Sequence, residues 1–388
     1  MARSVGIDFG TTYCAAALGG ADAVEEMLPV PGDTSGRGVF PSVIAFPPES
    51  SPVFGWDALT WQERDASRCV VSIKRAISKG RGHSSFDTHS AAGLSQEAVD
   101  GEMPFLAVGG ALKSPGEITA LLLKEIHRRA ETFCETRISQ AVIGSSPAWD
   151  AETRNCILKA AEEAGFSEIR LVEESKLVLA AYLQRDRAWR RLAICDFGSG
   201  HFGFSVFERA NPETDIMTLR PVVDSADAEI AGDEINGMIA RYLIEQIRAE
   251  TATDISKDAE LMSQLLREVE KAKCAVSHRG SYDMSIRDKE KGFHYSRAVS
   301  RFEVAEYAGT ILGGVADSCQ KALRQATFRV DDIDTVILVG GVSRMPLVRT
   351  LVENVFHKDV FCDWNPDIAV ALGAARVAGR VFAKDADA

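Results

Sequence analysis

One plan appears twice in this chain, and the repeat narrows what it can fold into. Val5-Gly6-Ile7-Asp8-Phe9-Gly10-Thr11-Thr12-Tyr13-Cys14 runs from apolar residues into an aspartate, then small hydroxylated residues, then apolar residues again. Leu192-Ala193-Ile194-Cys195-Asp196-Phe197-Gly198-Ser199-Gly200-His201-Phe202-Gly203 repeats that order. Each stretch reads as a hairpin with a tight turn of small residues. Such a turn lets main-chain amides approach a phosphate closely, and an aspartate at the strand end suits hydrated magnesium. Either stretch alone would also fit an ordinary surface hairpin with an Asp-Gly turn. The recurrence, about half a chain apart, points to two similar lobes facing one nucleotide.

A third element, Val336-Ile337-Leu338-Val339-Gly340-Gly341-Val342-Ser343-Arg344-Met345-Pro346, is a strand running into paired glycines and then a helix. Glycines there allow a flat ring or a sugar to lie against the backbone, near helix amides. These three elements, in this order, resemble the first phosphate, second phosphate and adenosine motifs of the seventy-kilodalton heat-shock chaperones, the DnaK-type family. Asn365-Pro366-Asp367, followed by Ala369-Val370-Ala371-Leu372-Gly373-Ala374-Ala375, fits those chaperones better than actins or sugar kinases. The similarity covers essentially the whole chain. It implies an α/β, two-lobed, actin-like ATPase fold of the ribonuclease H-like kind. Each lobe would hold a mixed five-stranded sheet with helices and a smaller outer subdomain. On that basis we expect lobe I over 1–187, with its outer subdomain near 36–113. Lobe II would span 188–365, with its outer subdomain near 229–305, and 366–388 would form a closing helix returning to lobe I.

Bulk properties agree with this reading without dictating it. A chain of 388 residues that is 46% hydrophobic can bury a large core and divide into two or more domains. A net charge of −12 argues against a nucleic-acid surface. No apolar run reaches the length of a membrane span, and the first residues do not read as a signal peptide. Eight cysteines without CxxC spacing, among them Cys14 and Cys195 within apolar strands, suit a reducing cytoplasm rather than disulfides or a zinc site.

The resemblance assigns roles residue by residue. Asp8 and Asp196 would share magnesium through water, and Lys74 would lie beside the γ-phosphate, where its charge offsets charge on the transferred group. Glu174 would order the metal and the attacking water, with Thr12 also facing the γ-phosphate. Gly10, Thr11, Thr12 and Tyr13 would hold phosphate in the first turn, and Gly198, Ser199, Gly200 and His201 in the second, with Gly232 beside them. Glu270, Lys273, Ser277, Gly340, Gly341, Val342, Arg344 and Asp367 would hold the nucleoside. Without the resemblance, Lys74, Glu270 and Lys273 would read as ordinary solvated helix residues.

Departures from the family fall in this same set. Ser199 and His201 stand where it has glycine and threonine, and Gly203 replaces an aspartate thought to assist the water. Losing a carboxylate beside the nucleophile slows hydrolysis by about a hundredfold or more. A drifted site in which His201 takes over part of that role is the alternative. Cys274 replaces an arginine that stacks on adenine, at roughly 1 kcal/mol of affinity, and Val342 replaces a hydroxyl residue. Pro and Thr are also missing after Glu174. Pro147 and Arg154 match a family switch that relays nucleotide state to the linker.

Between these landmarks the pattern predicts local structure. Pro29 to Pro52 reads as a loop with an edge strand at Ser42–Phe46, and Val70 to Ile77 as amphipathic and basic. From Lys79 to Lys113 we expect an irregular subdomain with a weak sheet. Ser114-Pro115-Gly116-Glu117 is a capping box opening a helix, and Glu152 to Gly165 reads as another. Arg187 to Arg191 would cross between lobes, a helix would start at Gly232 and run through Ile247, and another would span Ala259 to Ser277. Ser281 to Val299 reads as two or three short strands, and Phe302 to Ala326 as one long helix. Residues after Phe382 carry none of the linker, peptide-clamping β-sandwich or lid of such chaperones, so we expect this chain by itself to lack a peptide clamp.

Three function classes follow. The first is an ATP-binding, slowly hydrolysing chaperone-like switch, with a protein client and a J-protein or nucleotide exchange factor as the implied partners. The second is a nucleotide-binding regulator without useful turnover, and the third an actin-like filament-forming scaffold. No sugar-binding element is recognisable, which sets a sugar kinase well behind.

Overall fold

The computed structural model describes residues 3–20, 23–77, 106–108, 111–182, 189–211, 214–215, 218–362 and 366–386. Two sheets share one five-strand plan and carry the two hairpins, and the first has a sixth strand, Phe40–Pro41, paired antiparallel with Tyr13–Gly20. In the first, Ser4–Asp8 is central: it pairs antiparallel with Tyr13–Gly20, which pairs with Ala23–Met27, and parallel with Gln140–Ser145, which pairs with Glu168–Glu173. In the second, Arg191–Phe197 is central: it pairs antiparallel with Phe202–Glu208, which pairs with Pro221–Asp227, and parallel with Thr335–Val339, which pairs with Val360–Phe361. The central strands are nearly continuous apolar runs because both faces are covered, as parallel pairing requires. Each sheet is the layer of one lobe, with helices packed against it.

The helix Pro115–Cys134 covers the first sheet, and its start is the capping box that the sequence predicts: Ser114 Oγ accepts from the Glu117 amide at 3.2 Å, and Glu117 Oε2 accepts from the Ser114 amide at 2.7 Å. The closing helix Ala369–Ala386 lies against the first lobe's strands. It approaches so closely that a Cβ on Gly6 would stand 2.0 Å from the Ala375 nitrogen, so only glycine fits there. One apolar cluster joins this helix and Glu174–Tyr182 to Ile194 and Phe207 of the second sheet and Ile337 beside them, tying the lobes together at their base.

Several expectations are refined. Val70 and Val71 belong to the strand Cys69–Val71, and the helix is only Ile73–Ile77. Ser42–Phe46 yields the strand Val43–Ala45, paired with both Val53–Phe54 and Cys69–Val71. Glu152 to Gly165 becomes Ala151–Glu163, opened by Asp150, whose Oδ1 accepts from the Thr153 amide at 2.8 Å. The helix from Gly232 continues to Thr251, and Ala259–His278 ends one residue later than expected. Ser281 to Val299 forms two strands of eight residues, Ser281–Asp288 and Phe293–Ser300, paired antiparallel. Phe302 to Ala326 is not one helix but two, Arg301–Leu312 and Gly314–Gln325. Paired glycines at 313 and 314 weaken the helix there, and Gly314 lies so close to Ile230 that a Cβ would be 3.2 Å from its Cδ1. Of the irregular subdomain expected over 79–113, only the hairpin Leu106–Val108 and Ala111–Lys113 lies within the described residues. Arg187 and Asn365 fall outside them.

Candidate functional site

The repeated hairpins face each other. In the first, Asp8 is registered opposite Ala15, and the turn between is strapped by Ser42, whose Oγ donates to the Gly10 carbonyl and whose amide donates to the Thr12 carbonyl, both at 2.8 Å. In the second, the Gly198 amide donates to the His201 carbonyl at 3.1 Å and closes the turn. The helix Gly232–Thr251 starts against it, with the Gly232 amide on the Gly198 carbonyl at 3.1 Å and the Asp233 amide on the Ser199 carbonyl at 2.9 Å. The turns nearly touch: a Cβ on Gly200 would lie 2.8 Å from Thr11 Oγ1.

Charged groups cluster beside the turns. Lys74, carried by Ile73–Ile77, and Glu174, at the start of Glu174–Tyr182, are both buried and form an ion pair at 2.8 Å. The Lys74 ammonium also lies 5.3 Å from the ring centre of Trp149, whose carbonyl accepts from Arg154 Nε at 3.2 Å. His201 Nε2 stands 3.8 Å from Glu174 Oε2. Burial raises the pKa of Glu174, but Lys74 and His201 outweigh it and hold the group below the usual carboxylate value. Burial and the charge of Glu174 push Asp8 well above its ordinary value and Asp196 up to about 7, against the pull of Lys74. Burial lowers the His201 pKa, against the opposing pull of Glu174. Three carboxylates around one ammonium leave excess negative charge that a hard cation would neutralise. Among the described residues no three Asp, Glu, His or Cys side chains converge as direct metal ligands.

The other end of the cleft is built by Ala259–His278 and the turn after Thr335–Val339. Glu270 Oε2 accepts from Lys273 Nζ and from Asn236 Nδ2, both at 2.7 Å, and Cys274 Sγ donates to Oε1 at 3.2 Å. These partners overcome burial and lower the Glu270 pKa to about 2. Lys273 also donates to the Gly232 carbonyl at 3.1 Å. Gly340 has φ of 85°, a left-handed conformation, and a Cβ there would sit 2.4 Å from the Phe197 carbonyl oxygen and 2.5 Å from Asp196 Oδ1. Arg344 donates to Asp367 Oδ2 from Nε at 2.8 Å and from Nη2 at 2.7 Å.

One cleft of about 740 Å³ therefore gathers what the sequence singled out from distant positions. Asp8, Gly10, Thr11, Thr12, Tyr13, Lys74, Glu174, Asp196, Gly198, Ser199, Gly200 and His201 line one part of it. Glu270, Lys273, Ser277, Gly340, Gly341, Val342, Arg344 and Asp367 line the rest. Gly232 stands behind the lining, within reach of a Cβ contact to Val342 and Ser199. Pro147 is exposed in the turn before Trp149. Sequence reasoning missed Ser35 and Arg37, loop residues with no periodicity to mark them, and Trp149, which supports Lys74 from below. A family model described as Hsp70 protein matches residues 4–387. With two lobes of the same plan closing on one cleft, the fold is the two-lobed actin-like ATPase fold, and the chain belongs to the Hsp70 family.

Proposed function

We propose that this protein is an ATP-binding switch that hydrolyses ATP slowly. The observation that carries the reading is the meeting of two duplicated glycine turns, one from each lobe, over a buried Lys74–Glu174 pair flanked by Asp8 and Asp196. The β- and γ-phosphates would lie on the turn amides, with the Thr11 and Thr12 hydroxyls and the Lys74 ammonium toward the γ-phosphate. Asp8 and Asp196 fit a water-shelled magnesium, whose chemistry when bound is to neutralise phosphate oxygens. Glu174 is held ionised by Lys74 and can accept a hydrogen bond from water. Glu270 and Lys273 would hold the ribose, and Gly340, Gly341, Val342, Ser277 and Arg344 the base and its surroundings, with Asp367 orienting Arg344.

Slow turnover follows from Gly203. A Cβ at that position would lie 3.5 Å from Asp196 Cβ and 3.9 Å from His201 Nε2, so His201 now borders the space a carboxylate would use. An imidazole is a weaker anchor for water than a carboxylate. The same feature, with Cys274 and Val342, favours a second reading: a regulator that binds nucleotide without turning it over. A client protein, a J-protein or an exchange factor would then read the lobe closure, in a reducing cytoplasm consistent with eight free thiols. No helix among the described residues is long and apolar enough to cross a membrane.

Calorimetry with ATP and ADP, with and without EDTA, tests binding, and phosphate release on the saturated protein tests turnover. Lys74→Ala is expected to leave ATP binding largely intact and abolish phosphate release. Unchanged release would remove Lys74 from the mechanism, and tight binding with no release by the unaltered protein would select the regulator.

A further inference from the structure

Arg37 lines the same cleft as Glu270, Cys274 and Arg344, yet comes from the first lobe. It sits in a loop pinned by its own polar side chains. Asp33 Oδ2 accepts from the Gly38 amide at 2.8 Å, Asp33 Oδ1 accepts from the Ser35 amide at 2.9 Å, and Arg37 Nε donates to Ser35 Oγ at 3.2 Å. The guanidinium lies over the Tyr13 ring, its Cζ 4.4 Å from the ring centre. The Arg37 charge acts on Tyr13, Asp367 and Cys274, which places it beside the nucleoside end. A plane fixed on one face by an aromatic ring is preorganised to receive a second flat group on the other.

The opposite wall offers such a group at Arg344 and none at Cys274. Along Ala259–His278 the Lys273 ammonium is committed to Glu270 and to the Gly232 carbonyl. The next residue, Cys274, offers a thiol whose pKa burial and Glu270 push up to about 12, so it stays neutral. The Arg344 guanidinium is oriented by Asp367. A base entering between these walls therefore finds a cationic face toward Arg344 and none from Cys274.

We propose that Arg37 is a specificity-determining residue of the nucleotide site: its guanidinium, backed by Tyr13, stacks on the nucleobase from the first lobe. The inference rests on the nucleotide reading above and extends it to one residue. It makes the base, and not only the phosphates, a contact shared by both lobes. It also ties affinity to an aromatic base, because a cation–π contact is lost when the base is absent.

The test compares magnesium–ATP with magnesium–tripolyphosphate, which has the phosphates but no base. Arg37→Met keeps a chain over Tyr13 and removes the charged plane, and Arg37→Lys keeps charge without the plane. We expect Arg37→Met to weaken ATP binding about five- to thirtyfold and leave tripolyphosphate binding unchanged, with Arg37→Lys in between. Equal weakening of both ligands would assign Arg37 to the phosphates and overturn the proposal, as would unchanged ATP affinity. Should Arg37→Met fail to fold, as judged by thermal unfolding without ligand, Arg37→Lys reads the same difference. If the unaltered protein binds neither ligand, the nucleotide reading itself fails and takes this inference with it. Binding of ATP by the unaltered protein with no Arg37 effect overturns this inference alone.

Discussion

Asp196 and Asp8 share their surroundings with Glu174, and one ammonium cannot satisfy three carboxylates. Asp196 titrates near 7 in the folded chain against 3.8 in an open one. Between those values the folded state holds the proton more tightly, so its stability falls as pH rises. Asp196→Asn removes that cost. In EDTA and without nucleotide, the unaltered protein should lose stability from about pH 4 to pH 7, while Asp196→Asn stays flatter and is more stable at pH 8 by roughly 2–4 kcal/mol. Thermal melts across that range measure it, and parallel curves for the two proteins would mean the carboxylate is not strained. Glu270 behaves oppositely. Its pKa of about 2 lies below the open-chain 4.5, so its contribution is full above pH 4.5 and is lost as pH falls toward 2.

Backbone demands explain which elements could be read from the sequence. The hairpins and the Gly-Gly turn were legible because each needs glycine at a fixed place: Gly340 at φ 85°, pressed on Phe197 and Asp196, leaves no room for another residue. Gly340→Ala should therefore disturb both the strand Thr335–Val339 and Asp196, costing at least about 1–3 kcal/mol in chemical denaturation. An unchanged midpoint would mean that the turn relaxes freely. The long helix over 302–326 was misread because its apolar period runs through Gly313 with little shift, and only packing against Ile230 reveals the break. Arg37 escaped notice for a related reason. Its cleft neighbours on the other lobe, Glu270, Cys274 and Arg344, lie hundreds of positions away, and a loop of Asp, Ser and Gly carries no period to give it away.

Ion pairs that cross from lobe to lobe among the described residues include Arg75 to Asp233 at 3.0 Å near the second turn, and Lys271 to Glu63 at 3.5 Å farther out. Both are partly exposed, so each is worth at most about 1 kcal/mol and is screened by salt. Asp233→Asn is expected to speed release of a fluorescent ADP up to about fivefold, and raised salt to do much the same to the unaltered protein. Release indifferent to both would exclude these pairs as a latch. The closing helix Ala369–Ala386 has a consequence of another kind. It packs on Ser4–Asp8 and Tyr13–Gly20, yet it is translated hundreds of codons after them. At 5–20 residues per second, those strands wait on the order of 20–70 s with that surface uncovered. Until the helix arrives, that surface is exposed to association with other chains.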